Sequence, residues 1–190
     1  MKNKSVLLGL FILVAVAQIY VPASMIMERE DVLKKGKLWK FKTRPIDPND
    51  PMRGKYITLA YENNVYKIPG DSTFFSGQEV FVVLKEDENG YSTIDKVEID
   101  RPPADAEYVK AEIWYVNYYE DTARISIRYP FDRFYMEEYK APEAERLYNE
   151  FSRDSTTVTY AVVKIKDGEA VLEDVVVDGV SIAEIVFKEE

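Results

Sequence analysis

A chain of 190 residues is long enough for one domain of ordinary size plus a short appendage, and it contains neither cysteine nor histidine. These absences exclude disulfides, thiolate or histidine catalysis, and zinc sites built from Cys or His. Lys2 and Lys4 are the only charged residues among the first 27, so the remainder carries 23 basic and all 34 acidic side chains. Because this acidic balance repels phosphate backbones, we expect no nucleic-acid partner.

The first element is an apolar run from Val6 to Met27 that contains no charged residue. As a helix this run would be about 33 Å long, which is about the thickness of the hydrocarbon core of a membrane. The Lys pair precedes it and an acidic group follows it, at Glu28, Glu30 and Asp31. This distribution of charge favours a cytoplasmic N-terminus and a C-terminal domain on the other side.

Two interpretations of the N-terminal segment remain open. In the favoured one, residues 1–27 are an uncleaved signal anchor that makes a single pass through the cell membrane with residues 6–27. Residues 28–190 are then a single extracytoplasmic β-rich domain. In the other, the segment is a signal peptide that is cleaved at the Ala-x-Ala site formed by Ala15-Val16-Ala17.

A basic segment follows the apolar run. Glu28 to Lys35 is predicted to extend the helix as far as Gly36, and Leu38 to Thr43 is predicted to form the first strand. The five lysines of this segment are Lys34, Lys35, Lys37, Lys40 and Lys42. We interpret them as a solvated strand face, with contact to lipid headgroups or peptidoglycan as the alternative.

Short β patterns separated by turn signals dominate the rest of the chain. Lys55 to Tyr61 alternates between two faces, and Asn63-Asn64 predicts a hairpin in which Val65 to Ile68 pairs with this strand. A helix is predicted from Ala141 to Phe151, because Pro142 suits a first helical turn. Further strands are predicted for Val80 to Leu84, Tyr91 to Ile99, Val109 to Tyr118, Ala123 to Tyr129, Thr156 to Ile165 and Ala170 to Val177, and Ile182 to Phe187 closes the domain.

These roughly nine or ten strands and one good helix predict a mostly β fold of the α+β kind. The N-terminal transmembrane helix is expected to lead into one antiparallel β barrel or sandwich domain with one helix. The Asp167-Gly168 turn predicts the clearest hairpin of the chain.

Few catalytic arrangements are compatible with the sequence. Paired carboxylates that act on a glycan could come from Asp47, Asp50, Glu137 and Glu138. Asp47, Asn49 and Asp50 could also bind calcium, but they lack the Gly and the distal Glu of an EF-hand loop, so turn capping is favoured. We therefore expect no metal and no cofactor.

A Ser-Lys dyad formed by Ser24 and Lys110 is the remaining enzymatic alternative. The order of Ser24-Met25, Arg53-Gly54 and Tyr108-Val109-Lys110 is similar to that of type I signal peptidases, in which a strand Lys acts as the base. The Pro expected after Ser24-Met25-Ile26 and the acid expected after Arg53-Gly54 are both missing. An envelope hydrolase is therefore kept as an alternative to a non-enzymatic function.

The segment from Asp47 to Tyr61 reads DPNDPMRGKYITLAY. It resembles the signature of the GDYXXLXY domain family, which is named for Gly-Asp-Tyr-x-x-Leu-x-Tyr. Four residues match the signature, namely Gly54, Tyr56, Leu59 and Tyr61. Lys55 stands in place of the Asp and reverses the charge beside Tyr56, so a role that needs this acid is not expected here.

Other parts of the chain resemble the same family more loosely. They are Arg133-Phe134-Tyr135 with the following Glu137 or Glu138, the Asp167-Gly168 and Asp178-Gly179 turns, and the apolar helix that leads to Gln18 and Pro22. The resemblance implies a membrane-anchored bacterial protein, of a kind that is often accompanied by multi-spanning membrane proteins.

The signature also has a physical interpretation of its own. Gly54 allows a sharp entry into the strand, and Arg53 is placed to bridge Asp47 or Asp50. A rigid Pro-Asp loop before a strand suits either a structural corner or a pre-organised binding edge. Our hypothetical residues for binding a partner or ligand are Asp47, Arg53, Gly54, Tyr56, Tyr61, Arg133 and Tyr135. The function we predict is that of a binding or assembly module for a membrane protein or a cell-envelope component.

Overall fold

The computed structural model describes residues 2–45, 56–70, 72–103, 105–137, 139–154 and 156–188. Within these ranges the chain forms three helices and twelve strands, and every pairing between the named strands is antiparallel. The predicted mostly β fold with an N-terminal apolar helix is confirmed.

Helix α1 (Lys2–Lys35) is continuous through the apolar run and through the predicted extension, and Pro22 lies inside it. Its segment from Val6 is long and apolar enough to cross a membrane, and the apolar window has no residue buried against the domain. A signal sequence near an N-terminus has the same properties. The helix ends at Lys35, and the N–H of the next residue, Gly36, donates to the Val32 carbonyl at 2.8 Å.

The first five-stranded sheet begins directly after α1. It contains β1 (Lys37–Arg44), β3 (Ala60–Tyr61), β10 (Thr159–Lys166), β11 (Glu169–Val177) and β12 (Val180–Ser181), in the order β12-β11-β10-β1-β3. Strand β1 alternates, with Trp39, Phe41 and Thr43 buried. The predicted hairpin of β10 and β11 is confirmed, and its turn places Asp167 and Gly168 at φ 53° and 86°, the left-handed values that a two-residue hairpin turn requires.

The second five-stranded sheet curls into a nearly closed barrel. It contains β4 (Val65–Pro69), β5 (Glu79–Glu86), β6 (Ser92–Glu98), β7 (Tyr108–Tyr118) and β8 (Thr122–Arg128), in the order β4-β8-β7-β5-β6. Its edges β4 and β6 are linked by the Tyr66 hydroxyl, which donates to the Asp95 carbonyl at 3.1 Å. The apolar side chains of both sheets form one continuous core.

A short ribbon made of β2 (Tyr56–Thr58) and β9 (Arg133–Tyr135) stands apart from both sheets. It shows that the hairpin predicted between the signature strand and Val65 to Ile68 is wrong. Strand β2 pairs with β9, β3 pairs with β1, and β4 pairs with β8. The signature strand is interrupted at Leu59, whose N–H donates to the Asp132 carbonyl at 2.9 Å, so its two halves belong to different sheets.

Two helices pack on the β layers. Helix α2 (Ala141–Arg153) covers the region predicted to be helical, with Pro142 in its first turn and Leu147 and Tyr148 buried. Helix α3 (Ile182–Lys188) occupies the segment that closes the domain, and it buries Ile182 and Val186 one turn apart. Both helices contact each other, and α2 lies against β2.

The junction between α1 and the domain is a packed interface. Val32 is buried, the Arg29 guanidinium donates to the Ala170 carbonyl at 2.8 Å, and Asp31 forms an ion pair with Lys166 of β10. Because these contacts all lie in the last two turns of α1, the helix is joined to the β10–β11 hairpin in a fixed orientation.

We expect the Asp31 ion pair to make the stability of this junction depend on pH. Its hydrogen bonds to Lys166 and then Lys35 lower the pKa of Asp31 from 3.8 to about 2. A depressed carboxyl pKa stabilises the fold above the unfolded pKa, and this stabilisation is lost as the pH falls from about 4 to about 2. Wild-type protein in detergent should therefore melt at a higher temperature than Asp31→Asn at neutral pH.

The same comparison at low pH provides the control. The two melting temperatures should converge as the pH falls through about 2, because Asp31 becomes protonated there and no longer binds Lys166 as an anion. A difference that stays constant down to that pH would contradict the assignment.

Candidate functional site

The β2–β9 ribbon brings together two of the segments that the sequence analysis singled out separately. Its register pairs Tyr56 with Tyr135, Ile57 with Phe134, and Thr58 with Arg133. Since side chains alternate along a strand, Tyr56, Arg133 and Tyr135 share one face of the ribbon while Ile57 points to the other. Ile57 is completely buried, so this second face belongs to the core.

Two other signature residues, which follow β2 in the chain, also belong to the core. Leu59 and Tyr61 are both buried, and the Tyr61 hydroxyl donates to the Phe131 carbonyl at 2.6 Å. The Tyr61 ring packs edge-to-face with Phe41, Tyr129 and Phe131, at centroid distances of 5.7, 5.6 and 5.3 Å. Burial raises the pKa of Tyr61 well above its ordinary value, so this phenol stays neutral. Tyr61, one of our hypothetical binding residues, therefore lies in the core and away from the exposed face.

The exposed face carries a cluster of three side chains that we call the ribbon cluster: Tyr56, Arg133 and Tyr135. The guanidinium carbon of Arg133 lies 5.0 Å from the centroid of the Tyr56 ring, and the Tyr56 and Tyr135 rings are 5.5 Å apart. A hydrogen bond to Tyr135, followed by the nearby Tyr56 and Asp132, raises the pKa of Arg133. Tyr135 is 65% exposed even though it takes part in these contacts.

The contacts within the ribbon cluster hold its side chains in place before any partner arrives. Two aromatic rings and a guanidinium that already contact each other lose less conformational entropy on binding than free side chains would. Tyr and Arg are also enriched among the residues that dominate binding energy at protein interfaces. The arrangement suits the recognition of a polypeptide surface and contains no nucleophile paired with a base.

A second group of side chains follows β9. Glu137 forms an ion pair with Lys140 at 3.1 Å, and the Lys140 ammonium lies 3.3 Å from the centroid of the Phe187 ring. Hydrogen bonds from Tyr139 and then Lys140 lower the pKa of Glu137, which is opposite to the shift expected for a general acid. Glu137 therefore stays ionised and helps to connect the start of α2 with α3.

The proposed Ser-Lys dyad does not have the contacts of a catalytic pair. The Ser24 hydroxyl donates to the Val21 carbonyl of its own helix at 2.8 Å. The Lys110 ammonium lies 2.6 Å from a Glu169 oxygen, and its side chain is about half exposed. A lysine base needs a desolvated, unpaired amine, whereas this ammonium is paired with Glu169 on a half-exposed side chain.

Several candidate residues lie outside the described part of the chain. They are Asp47, Asn49, Asp50, Arg53, Gly54, Lys55 and Glu138. Among the residues that the structure does describe, no group of three or more carboxylates is arranged to bind a metal ion.

An exposed aromatic group on β7 and in the turn that follows it was not predicted from the sequence. Trp114 interrupts the pairing of these strands, since Ile113 pairs with Ile127 and Tyr115 with Ser126. The only signal in the sequence is the adjacent aromatic pair Trp114-Tyr115, which breaks the alternation of β7. Asp132 was also overlooked, because it acts through its backbone carbonyl, which no side-chain pattern reveals.

Comparisons with known proteins agree with the resemblance carried by these segments. The family model described as GDYXXLXY protein matches residues 18–175, from the middle of α1 to the last residues of β11. Comparisons with curated proteins and with solved structures gave no match. The matched region includes both strands of the ribbon, and the chain belongs to the GDYXXLXY protein family.

Proposed function

We propose that this protein is a membrane-tethered binding or assembly module whose ribbon cluster contacts another membrane protein or a cell-envelope component. Residues 6–27 anchor it by a single membrane pass, and the domain from residue 28 onward lies outside the cytoplasm. The exposed ribbon cluster is the observation that carries this proposal.

The signature residues support a binding role because they divide between two environments. Leu59 and Tyr61 stabilise the core, whereas Tyr56 is half-buried and packs against Arg133 and Tyr135 on the outer face of the ribbon. A purely structural corner does not need an exposed tyrosine and an arginine ordered around a half-buried tyrosine. Such a cluster leaves apolar surface exposed to water, which is unfavourable for stability and is typical of interaction sites.

The packing of α1 supports a function that depends on orientation. A helix docked through Arg29, Asp31 and Val32 holds the domain at a fixed angle to the membrane segment. A flexible linker would instead let the ribbon cluster sample many directions. A fixed angle favours a partner that is itself held in or near the membrane, because less orientational freedom is lost on binding.

In-cell crosslinking followed by mass spectrometry tests the proposed contact. We expect Arg133→Ala and Tyr135→Ala each to weaken binding by about 2 kcal/mol or more, the size typical of interface hot spots. The crosslinked complex should be reduced accordingly, while thermal unfolding shows that the variants are folded. Arg153→Ala in α2 is the matched control for Arg133→Ala, and Tyr91→Ala in the β5–β6 turn is the matched control for Tyr135→Ala. Each control removes the same type of side chain outside the ribbon cluster.

Either of two results would contradict this proposal. One is a complex that forms equally well with the folded ribbon variants and with wild type. The other is a loss of complex that the two control variants reproduce, since the effect would then not depend on the ribbon cluster.

The orientation in the membrane makes a separate prediction. Because the chain has no cysteine, single-cysteine variants can be labelled at one chosen position. Glu88→Cys, in the β5–β6 turn, should react with a membrane-impermeant maleimide in intact cells, whereas Lys4→Cys should react only after lysis. The reverse pattern would place the domain in the cytoplasm, and release of a shortened Glu88→Cys protein from the membrane would indicate cleavage of the N-terminal segment.

A further inference from the structure

The end of the β7–β8 hairpin carries an exposed group of aromatic side chains. We call this hairpin end, residues 114–122, the aromatic arm. Its exposed rings are Trp114, Tyr115, Tyr118 and Tyr119, and each is more than half exposed. Strand β5 pairs with β7 between Tyr108 and Glu112, so the β7 side of the arm extends beyond β5, whereas β4 pairs with β8 as far as Thr122.

The rings of the aromatic arm are held in position by polar groups. The guanidinium carbon of Arg128 lies 3.3 Å from the centroid of the Trp114 ring, and that of Arg124 lies 5.6 Å from the Tyr119 ring. The Tyr118 hydroxyl donates to the Phe74 carbonyl at 2.7 Å. The arm therefore presents ordered aromatic surface accompanied by two cations.

Two clefts show how the arm is oriented relative to α1. A cleft of about 400 Å³ is lined by Lys35, at the end of α1, and by Tyr108, at the start of β7. A second cleft, of about 620 Å³, is lined by Arg29 together with Glu112 and Arg128. The residues of β7 from Tyr108 to Glu112 therefore lie beside α1 in reverse order, with Tyr108 near Lys35 and Glu112 nearer the membrane segment.

The lengths of the two elements place the arm near the end of the membrane segment. From Lys35 back to Met27, α1 rises about 12 Å at 1.5 Å per residue. From Tyr108 to Trp114, β7 extends about 20 Å at 3.3 Å per residue. The strand is therefore long enough for Trp114 to reach the level of Met27.

We infer that the aromatic arm lies in the headgroup region of the membrane and is a second lipid contact beside α1. This inference rests on the membrane anchoring proposed above. Trp and Tyr concentrate at membrane interfaces, where the ring meets the acyl boundary and its polar atom stays hydrated. Arg124 and Arg128 supply cations for lipid phosphates, and Glu120 and Asp121 at the tip require that the arm lies along the surface in the hydrated headgroup layer.

A lipid surface is favoured over a protein occupant by the position of the arm. The arm runs from the domain towards Met27, where the apolar run of α1 ends, so a membrane crossed by α1 is already adjacent to it. The packed junction fixes the domain relative to α1, and this second contact fixes the tilt of the domain relative to the membrane. The ribbon cluster is then presented at a defined height above the membrane.

Trp114 is a natural reporter for this contact, because the only other tryptophan, Trp39, is buried in the core. The full chain carrying Trp39→Phe is reconstituted into vesicles of phosphatidylcholine and phosphatidylglycerol with either plain or brominated acyl chains. We expect brominated lipid to quench most of the Trp114 emission and aqueous iodide to quench it several-fold less than an exposed reporter. If Trp39→Phe does not fold, the difference spectrum between wild type and Trp114→Phe gives the same signal.

Two further reporters separate the possible failures, each in a background lacking both native tryptophans. Glu88→Trp, at the far end of β5, should remain open to iodide and insensitive to brominated lipid. Tyr20→Trp, inside the membrane segment, should be strongly quenched by brominated lipid. If brominated lipid quenches Tyr20→Trp but not Trp114, the lipid contact of the arm is overturned and the membrane anchoring is not. The same conclusion holds if Trp114 is shielded from iodide but is not quenched by brominated lipid, because a protein contact then covers it. Absence of quenching at Tyr20→Trp overturns the membrane anchoring itself.

Discussion

Tyr61→Ala is expected to lower the free energy of unfolding by about 3–5 kcal/mol, the range for truncating a large buried aromatic side chain. The Tyr61 ring fills the space between Phe41, Tyr129 and Phe131, so its removal leaves a cavity at the point where the two sheets share their core. The Phe131 carbonyl also loses its 2.6 Å hydrogen bond. Urea unfolding of the full chain in detergent measures the difference.

Tyr56→Ala is the matched control for this prediction, since it removes the same side chain from the other face of the same signature. We expect it to change the free energy of unfolding by less than about 1 kcal/mol, as is usual for surface substitutions. Equal losses in the two variants would contradict the division of the signature into a buried and an exposed part.

Gly36→Ala is expected to produce the second largest effect, by forcing α1 away from the domain. A Cβ atom at this position would lie 2.4 Å from the Val32 carbonyl oxygen and 3.1 Å from the Ile165 nitrogen and oxygen. All three are backbone atoms, so no rotation of a side chain can relieve the clash. Overpacking of this kind typically costs about 1–3 kcal/mol, and we expect the upper end of that range.

The undocking of α1 has its own readout. Limited proteolysis of Gly36→Ala in detergent should cleave the segment between Glu28 and Lys37, which wild type protects. Gly9→Ala provides the control, because a Cβ atom there meets nothing within 4 Å, and alanine is the better helix former. Unchanged protection in Gly36→Ala would contradict the packed junction.

The local features of the fold could be predicted from the sequence because neighbouring residues determine them. The alternation of the signature strand placed Ile57, Leu59 and Tyr61 on one face, and all three are buried. Asp167-Gly168 identified the hairpin of β10 and β11, and Pro142 identified the start of α2.

The partners of the strands could not be predicted in the same way. Asn63-Asn64 is a local turn signal, but the stability of a sheet comes from cross-strand contacts that are distant in sequence. Strand β2 instead pairs with β9, because this pairing buries Ile57 and lets Asp132 accept a hydrogen bond from Leu59. The segment from Ile182 is helical because its burial repeats after four residues, a period that seven residues reveal only weakly.

The candidate site was predicted in its residue types but not in its geometry. Tyr56, Arg133 and Tyr135 were singled out from two separate segments, and the pairing of β2 with β9 places them together. Tyr61 was grouped with them because of the family signature, although its position in the alternation assigns it to the opposite face. Ion pairs such as that between Asp31 and Lys166 join residues that no sequence pattern relates.

Site-specific photo-crosslinking in cells tests the central claim most directly. A photoreactive phenylalanine derivative replaces Tyr135 in the full-length protein, and a second strain carries it in place of Glu88 in the β5–β6 turn. We predict that position 135 captures one discrete membrane or cell-envelope protein, that position 88 does not, and that Arg133→Ala abolishes the capture. Capture of the same protein from both positions, or of none from position 135 in folded protein, would contradict the ribbon cluster as the binding surface.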